Sequence, residues 1–310
     1  MKKLIISGGS GFLGSLIINH FNTQFDDIVL LSRKQNIEIN KHQENQKHIR
    51  TVVWDATSFS GWEKEFEDAT VVINMAGRSV DCRYNQKNKD LIMNSRIDST
   101  TVIGKAIAQC KNPPKVWVNS STATIYRHSL DKQMSEEQGE IGTGFSVSVA
   151  KAWEKAFFSS KTPQTRKVAL RTSIVLGKNG GALQPIKRIT QLGLGGKQGN
   201  GNQKFSWIHE NDFVRSLAFL IENQELEGVF NIVAPQPSTN KELMRLMRRA
   251  LKIPFGISSP KFLLEMGAFL IRTETELLLK SRNVIPRKLT NVGFKFSHPN
   301  LEQALQNLIK

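Results

Sequence analysis

Gly8, Gly11 and Gly14 stand at the spacing G-x-x-G-x-x-G. The apolar run Leu4, Ile5, Ile6 precedes them, and Phe12, Leu13, Leu16, Ile17 and Ile18 follow at helical spacing. The order is strand, glycine turn, helix. Such a turn aims the first free N–H groups of the helix at whatever occupies it, and the helix dipole favours an anion there. The chemistry implied is phosphate binding by Gly8, Ser10, Gly11, Phe12, Leu13 and Gly14. A bare turn between strand and helix is the alternative reading of the glycines alone.

Residues further along point to the kind of dinucleotide. The second strand-like run ends in Leu30-Leu31-Ser32-Arg33-Lys34. A dinucleotide fold that takes NAD places an acid at this point to accept from the ribose 2′-hydroxyl. Arg33 and Lys34 are cations, which favour a 2′-phosphate, and Ser10 adds a hydroxyl donor. NADP(H) is therefore the expected cofactor. After a later strand come Asn74, Ala76 and Gly77, where the small residues let a cofactor lie close and Asn74 fixes the loop. Asp55 either accepts from the adenine amino group or caps the turn after it. Arg171, just past another strand, is placed to hold a cofactor or substrate anion, and Arg96 to tie a helix to a loop.

These positions need a frame that brings strand ends together. Strand-like runs at 27–31, 51–54, 71–74, 116–119 and 167–170 alternate with helical patterns. Alternation of this kind implies an α/β fold: a doubly wound parallel, Rossmann-type sheet with helices on both faces and ligands beyond the carboxyl ends of the strands. After residue 177 the pattern changes to glycine-rich loops, short strands and helices. The glycines of LGLGGKQGNGNQKFSWIH (192–209) read as a wall of the substrate cleft or a long surface loop, since no helix start follows them as a phosphate loop requires. The expected organisation is a dinucleotide-binding domain over 1–234 and a small, mostly helical C-terminal domain over 235–310.

Composition narrows the class further. With 310 residues the chain can bury a substantial core without staples. Cys82 and Cys110 have no metal-ligand or redox spacing, so ordinary thiols and no metal site are expected. Met1-Lys2-Lys3 leads straight into the first strand, and no apolar run reaches the roughly 20 residues that span a bilayer, so a cytoplasmic protein is expected. The stretch KFLLEMGAFLIRTETELLLK (261–280) is broken by Glu265, Arg272, Glu274 and Glu276 and reads as an amphipathic helix on the body. The net charge of +16 calls for an anionic partner. No aromatic-interleaved basic motif of a nucleic-acid module is present, and a phosphorylated cofactor with a soluble basic surface accounts for the charge.

Taken together, GGSGFLG (8–14), INMAG (73–77), SSTATIY (120–126) and LRTSIVLG (170–177) resemble the extended short-chain dehydrogenase/reductase superfamily. SRIDST (95–100), GGALQP (180–185) and FSWIHENDF (205–213) resemble its atypical "epimerase family" branch. PRKLTNVGFKFSHPNLEQAL (286–305) is similar to that branch's small terminal domain of unknown function. The resemblance covers nearly the whole chain. It implies a small-molecule substrate, polar or nucleotide-linked, and a reductase or epimerase reaction; a catalytically silent NADP(H) sensor is the other class.

The resemblance also exposes a gap. Members of the superfamily that transfer hydride use a Tyr-x-x-x-Lys pair, in which lysine lowers the phenol pKa, with a Ser or Thr on a neighbouring strand end. Neither Tyr84 nor Tyr126 has lysine four residues on. Counting back from Trp153-Glu154 in FSVSVAKAWEKAF (145–157) puts Ser146 at the tyrosine position and Ala150 at the lysine position. Lys151 is one residue off, about 100° around a helix. Thr122, or Ser121 after a shift of one, fills the Ser/Thr position, where a backbone-capping role competes with a substrate role. Thr122 and Tyr126, at the same rim of the cleft, are the candidate catalytic residues. His209 and Asp212 read as a hydrogen-bonded pair near the cleft, or else Asp212 N-caps the following helix.

The cation at the end of the second strand has a measurable consequence. Losing a charge-assisted hydrogen bond costs about 1.5–3 kcal/mol. Arg33→Ala should therefore weaken NADPH binding by about tenfold to a hundredfold and NADH binding much less. Equal losses in a titration of both cofactors, or tighter NADH binding by the unaltered protein, would remove Arg33 from the 2′-phosphate site.

Overall fold

The computed structural model describes residues 1–35, 48–260 and 280–310. The amphipathic helix expected at 261–280 lies, but for its last residue, outside them. Six strands come first: β1 (Lys3–Ser7), β2 (Asp27–Ser32), β3 (Ile49–Val53), β4 (Val71–Asn74), β5 (Val116–Thr122) and β6 (Arg166–Thr172). Four short ones follow, β7 (Ile174–Gly177), β8 (Gly180–Gly181), β9 (Lys204–Phe205) and β10 (Trp207–His209), and then β11 (Gly228–Ile232). The central sheet has seven strands in the order β11-β6-β5-β4-β1-β2-β3, every neighbouring pair parallel. The chain winds outward from β1 through β2 and β3, then returns to β4 on the other side of β1. The crevice between β1 and β4 is the switch point at which such folds bind ligands.

Alternation within the strands sorts the core into two layers. Leu4, Ile6, Ile28, Leu30, Val71, Ile73, Val116, Val118, Val168 and Leu170 face one side, where α1 (Phe12–Phe21) and α5 (Glu210–Glu222) cover them. The residues between them, including Ile5, Val29, Val72, Trp117 and Ala169, face the other. There α2 (Gln86–Gln109), α3 (Phe145–Phe158) and the turn holding Trp62 and Phe66 cover them. Both faces are buried, which is why the strands read as near-continuous apolar runs.

Two elements differ from the sequence expectation. The third strand runs over 49–53 rather than 51–54; Trp54 just past it still donates its N–H to the Ser32 carbonyl at 3.0 Å, and its ring packs edge-on against Trp62 at 5.3 Å. The seventh strand, β11, was not anticipated; its Asn231 interrupts a short run and is fully buried for a polar reason given below. The glycine-rich stretch after residue 190 is not a phosphate loop. Its Gly196 and Gly199 N–H groups donate to Ile257 and Ser259 carbonyls, and a Cβ on Gly196 would stand 2.4 Å from the Ser258 nitrogen.

The C-terminal part is helical and tied in through polar groups. Helix α4 (Leu183–Ile189), α6 (Asn240–Ala250) and the last helix, Leu301–Ile309, share a cluster with Leu176 and Trp207, so its apolar core spans both sides of residue 235. Asp212, 0 % exposed, accepts from the backbone N–H of Ser297 (2.8 Å) and His298 (2.7 Å) and from Arg215. His209 caps α5 through Nδ1, which accepts from Asn211 N–H, and its ring stacks on His298 at 3.7 Å. The pair expected near the cleft is thus a clamp on the C-terminal segment. His209, and not Asp212, is the helix cap. Among the described residues no helix is long and apolar enough to cross a membrane.

Burial, reinforced by His298, pushes the His209 pKa down to about 4. An unfolded histidine titrates near 6.5. Between these values the unfolded chain binds more protons, so stability falls as pH falls through that window. Melting temperature should drop from about pH 6.5 to about pH 4, and His209→Asn, which keeps a capping acceptor, should flatten the drop. Parallel declines in both proteins would clear His209 of the effect.

Candidate functional site

The glycine turn sits at the switch point and is built by close contacts. Gly8 has a positive φ of 75°, and a Cβ there would lie 2.6 Å from the Met75 carbonyl oxygen, in the turn after β4. A Cβ on Gly14 would lie 2.5 Å from the Gly8 oxygen and from the Gly9 Cα. Gly11 differs: its φ is ordinary at −84°, and an added Cβ would meet only the Gly8 oxygen, at 3.6 Å. It is exposed, it is the N-cap of α1, and no side chain caps that helix. No side chain therefore occupies the N-terminus of α1, the kind of helix start that an anionic ligand can use.

The flanking residues divide between ligand side and support. Ser10 is exposed at the tip of the turn. The Phe12 ring, by contrast, points away: Cβ atoms on Gly177, Gly180 and Gly181 would all come within 2.9 Å of it. The glycines of the β7–β8 hairpin are spaces for this ring, and Phe12 and Leu13 can serve a ligand only through their backbone. Arg33 and Lys34 are exposed just past β2. The register Ser7↔Leu31 puts them at the same sheet edge as the glycine turn. Asp55 accepts from Thr57 N–H and Ser58 N–H, both at 2.8 Å, and from the Ser58 hydroxyl, which hold its pKa well below the usual range. It is a turn cap.

Asn74 is fully buried. Its Oδ1 accepts from the Ser7 hydroxyl (2.6 Å) and Ala76 N–H (3.1 Å), and its Nδ2 donates to Asn119 (2.7 Å) and Thr100 (3.2 Å). It fixes the turn after β4, where Ala76 and Gly77 come to the surface, and every one of its bonds is internal. Arg96 reaches from α2 to the same turn and donates from Nη1 to the Arg78 carbonyl at 3.0 Å.

The expected catalytic rim is rearranged. Tyr126 does not reach the cleft: it is 2 % exposed, its hydroxyl donates to Asn231 Oδ1 (2.9 Å) and accepts from Arg171 Nη1 (2.9 Å). Burial pushes the phenol pKa up against the opposing pull of Arg171, the wrong direction for an acid or base near neutrality. Arg171 does not hold an external anion either, since its Nε and Nη2 both bond Glu154, at 2.8 Å each. Ser121 donates to the same carboxylate at 2.6 Å. Thr122 is left at the rim, half-buried, with Oγ1 accepting from Thr124 N–H at 3.1 Å. That bond uses a lone pair and leaves its hydroxyl proton to donate. On α3, Ser146 is half-buried, Ala150 is 0 % exposed and Lys151 faces solvent.

The Glu154–Arg171 bond was invisible to sequence reading. The two residues lie 17 apart on a helix and a strand, and no local spacing encodes their meeting. Asn231 was missed for the same reason.

A parallel sheet wound both ways from a glycine turn defines a Rossmann-type dinucleotide fold. The model of the NAD dependent epimerase/dehydratase family matches residues 4–233, and that of DUF1731, a domain of unknown function, matches 259–308. The chain belongs to the NAD dependent epimerase/dehydratase family. It is 32 % identical over 311 residues to an epimerase family protein of Staphylococcus aureus (strain NCTC 8325), covering 100 % of both chains. It is 33 % identical over 309 residues to one of Staphylococcus haemolyticus, covering 100 % and 99 %. Among solved structures, human epimerase family protein SDR39U1 with NADPH superposes with a TM-score of 0.85 at 28 % identity, covering 99 % of each chain. A nucleoside-diphosphate sugar epimerase from Corynebacterium glutamicum shares the fold, with a TM-score of 0.78 at 22 % identity over 99 % of this chain and 58 % of that one.

The second and third glycines of the motif separate binding from folding. Gly11→Val should leave circular dichroism and melting temperature unchanged and abolish dinucleotide binding. Gly14→Ala should lower the melting temperature, because its Cβ meets backbone that cannot give. Binding that survives in a well-folded Gly11→Val protein would reduce the motif to a turn.

Proposed function

We propose that this chain is an NADP(H)-binding reductase or epimerase acting on a small polar or nucleotide-linked substrate without a Tyr-x-x-x-Lys pair. The observation that carries the reading is the uncapped N-terminus of α1 at the switch point, with Arg33 and Lys34 on the same sheet edge. The human relative solved with NADPH supports the same cofactor. Gly8, Ser10, Gly11, Phe12, Leu13 and Gly14 would take the diphosphate, Arg33 and Lys34 the 2′-phosphate, and Ala76 and Gly77 would line the path between.

When bound, the nicotinamide supplies or accepts hydride. The chain's own part is to hold the reacting carbon near it and to polarise the oxygen. Thr122 is the hydroxyl placed to donate to such an oxygen, and it orients rather than ionises, because an alcohol does not give up its proton near neutral pH. General acid–base help contributes about a hundredfold to ten-thousandfold in rate, so turnover on simple ketones and sugar nucleotides should be slow.

A specific observation favours a second reading, a silent NADP(H) sensor: the lysine position is a core alanine, and Tyr126 is locked inside. Turnover of NADPH over a panel of carbonyl compounds and sugar nucleotides separates the two. On the enzyme reading Thr122→Val lowers the rate and leaves NADPH affinity unchanged, whereas Tyr126→Phe acts through stability. Cofactor binding with no turnover across the panel favours the sensor, and rapid turnover untouched by Thr122→Val relocates the donor.

A further inference from the structure

Arg171 is buried and Arg96 half-buried, and their guanidinium groups are treated differently. Arg171 is neutralised by two bonds to Glu154. Arg96 has no carboxylate partner among the described residues. Its Nη1 donates to the Arg78 carbonyl (3.0 Å) and the Ile92 carbonyl (2.9 Å), and its plane lies over the Trp153 ring at 5.0 Å. Burial pushes its pKa down to about 10, with Tyr84 pulling weakly the other way. A cation taken out of water without a counter-charge is costly, and carbonyl dipoles and a ring face return only part of that cost.

Position identifies what would return the rest. A Cβ on Gly77 would stand 3.2 Å from Arg96 Cζ, so the guanidinium lies directly against the turn after β4, beside the switch point. Trp153, on which it rests, is one helical turn past Ala150, where the lysine of better-equipped relatives would stand. Ala150 is 0 % exposed. Helix α3 presents no cation there, while α2 delivers one to the same neighbourhood.

We propose that Arg96 replaces the missing lysine as the positive charge at the reacting end of the cleft and there binds an anionic oxygen of a phosphate or carboxylate. This rests on the NADP(H) reading above. The oxygen belongs either to the nicotinamide-side phosphate of the cofactor or to an acidic group on the substrate.

The test titrates NADPH and 2′,5′-ADP, which lacks the nicotinamide half, into the unaltered protein, Arg96→Gln and Arg96→Lys. Glutamine keeps a donor for the Arg78 carbonyl without charge; lysine keeps the charge. If the anion is the cofactor's, Arg96→Gln binds NADPH about tenfold to a hundredfold more weakly. Arg96→Lys then retains most of the affinity, 2′,5′-ADP binds all three alike, and the ligand-free Arg96→Gln protein melts no lower than the original. If NADPH affinity is unchanged but uridine diphosphate, titrated with and without NADP+, binds Arg96→Gln more weakly than Arg96→Lys, the anion is the substrate's. The proposal is overturned if glutamine matches arginine toward both NADPH and uridine diphosphate. It is also overturned if Arg96→Gln loses 2′,5′-ADP together with NADPH and melts lower, which would make Arg96 a structural tie. Failure of the unaltered protein to bind NADPH or 2′,5′-ADP strikes the cofactor reading instead, and the uridine diphosphate arm then decides Arg96 alone.

Discussion

The cleft depends on the side chain of Asn74. An amide has two donors and two acceptor positions, and in Asn74 all four are used inside the protein: by Ser7 on β1, Ala76 in the next turn, Asn119 on β5 and Thr100 on α2. Thr100 in turn accepts from Trp153 Nε1 at 3.0 Å, which brings α3 into the same set. Three adjacent strand ends and two helices are thereby held in one register. The energetics are asymmetric. Each bond is worth only about 1 kcal/mol net, but a buried group left without its partner costs about 1–3 kcal/mol, and total stability is commonly about 5–15 kcal/mol. A fold with this set can hardly slip one strand end past the next without orphaning several groups together. The turn after β4 inherits its position from that rigidity, and so does everything that lies against it, including the glycine turn and Arg96.

A second polar set lies one strand further along. Ser121, Glu154, Arg171, Tyr126 and Asn231 form a continuous chain of bonds from β5 through α3 and β6 to β11. Asn231 continues it, donating from Nδ2 to the Ile285 carbonyl and from its backbone to Glu136. The C-terminal segment is thus connected to the sheet through the same residues that a sequence reading takes for a reaction centre. Such a buried ion pair is weak evidence for added stability, because desolvation offsets much of the attraction; removing one member is what costs. Its consequence here is geometric: it removes a phenol and a guanidinium from the cleft by bonding them to each other.

Local pattern made the frame and the glycine turn at its switch point legible. Gly8, Gly11 and Gly14 carry their meaning within seven residues, and β1, β2, β4, β5 and β6 each declare themselves by apolar runs because both sheet faces are covered. The role of Asn74 in fixing a turn was also readable, since Asn-x-Ala-Gly after a strand is a local device. Tyr126 and Arg171 were misread because their types and strand-end positions suit chemistry, while their actual partners come from 17 and 105 residues away. Contacts of that range are set by topology and leave no spacing to read. His209 and Asp212 fail in the same way: only the arrival of Ser297 and His298 reveals that they hold a chain segment.

These two polar sets together bear on the part of the fold where the resemblance implies a Tyr-x-x-x-Lys pair. By the resemblance, α3 is the helix that would carry that pair. Here the corresponding positions are Ser146 and a buried Ala150, and the next turn contributes Trp153 to the Asn74 set and Glu154 to the Arg171 set. The helix has become bracing. Arg96 approaches the turn after β4 from α2 and is held by carbonyls and a ring face, with no carboxylate partner among the described residues. On the proposal made for Arg96, the positive charge facing the cleft comes from α2 rather than α3, and the substrate it would suit is one recognised by its negative charge rather than by a carbonyl awaiting a phenol.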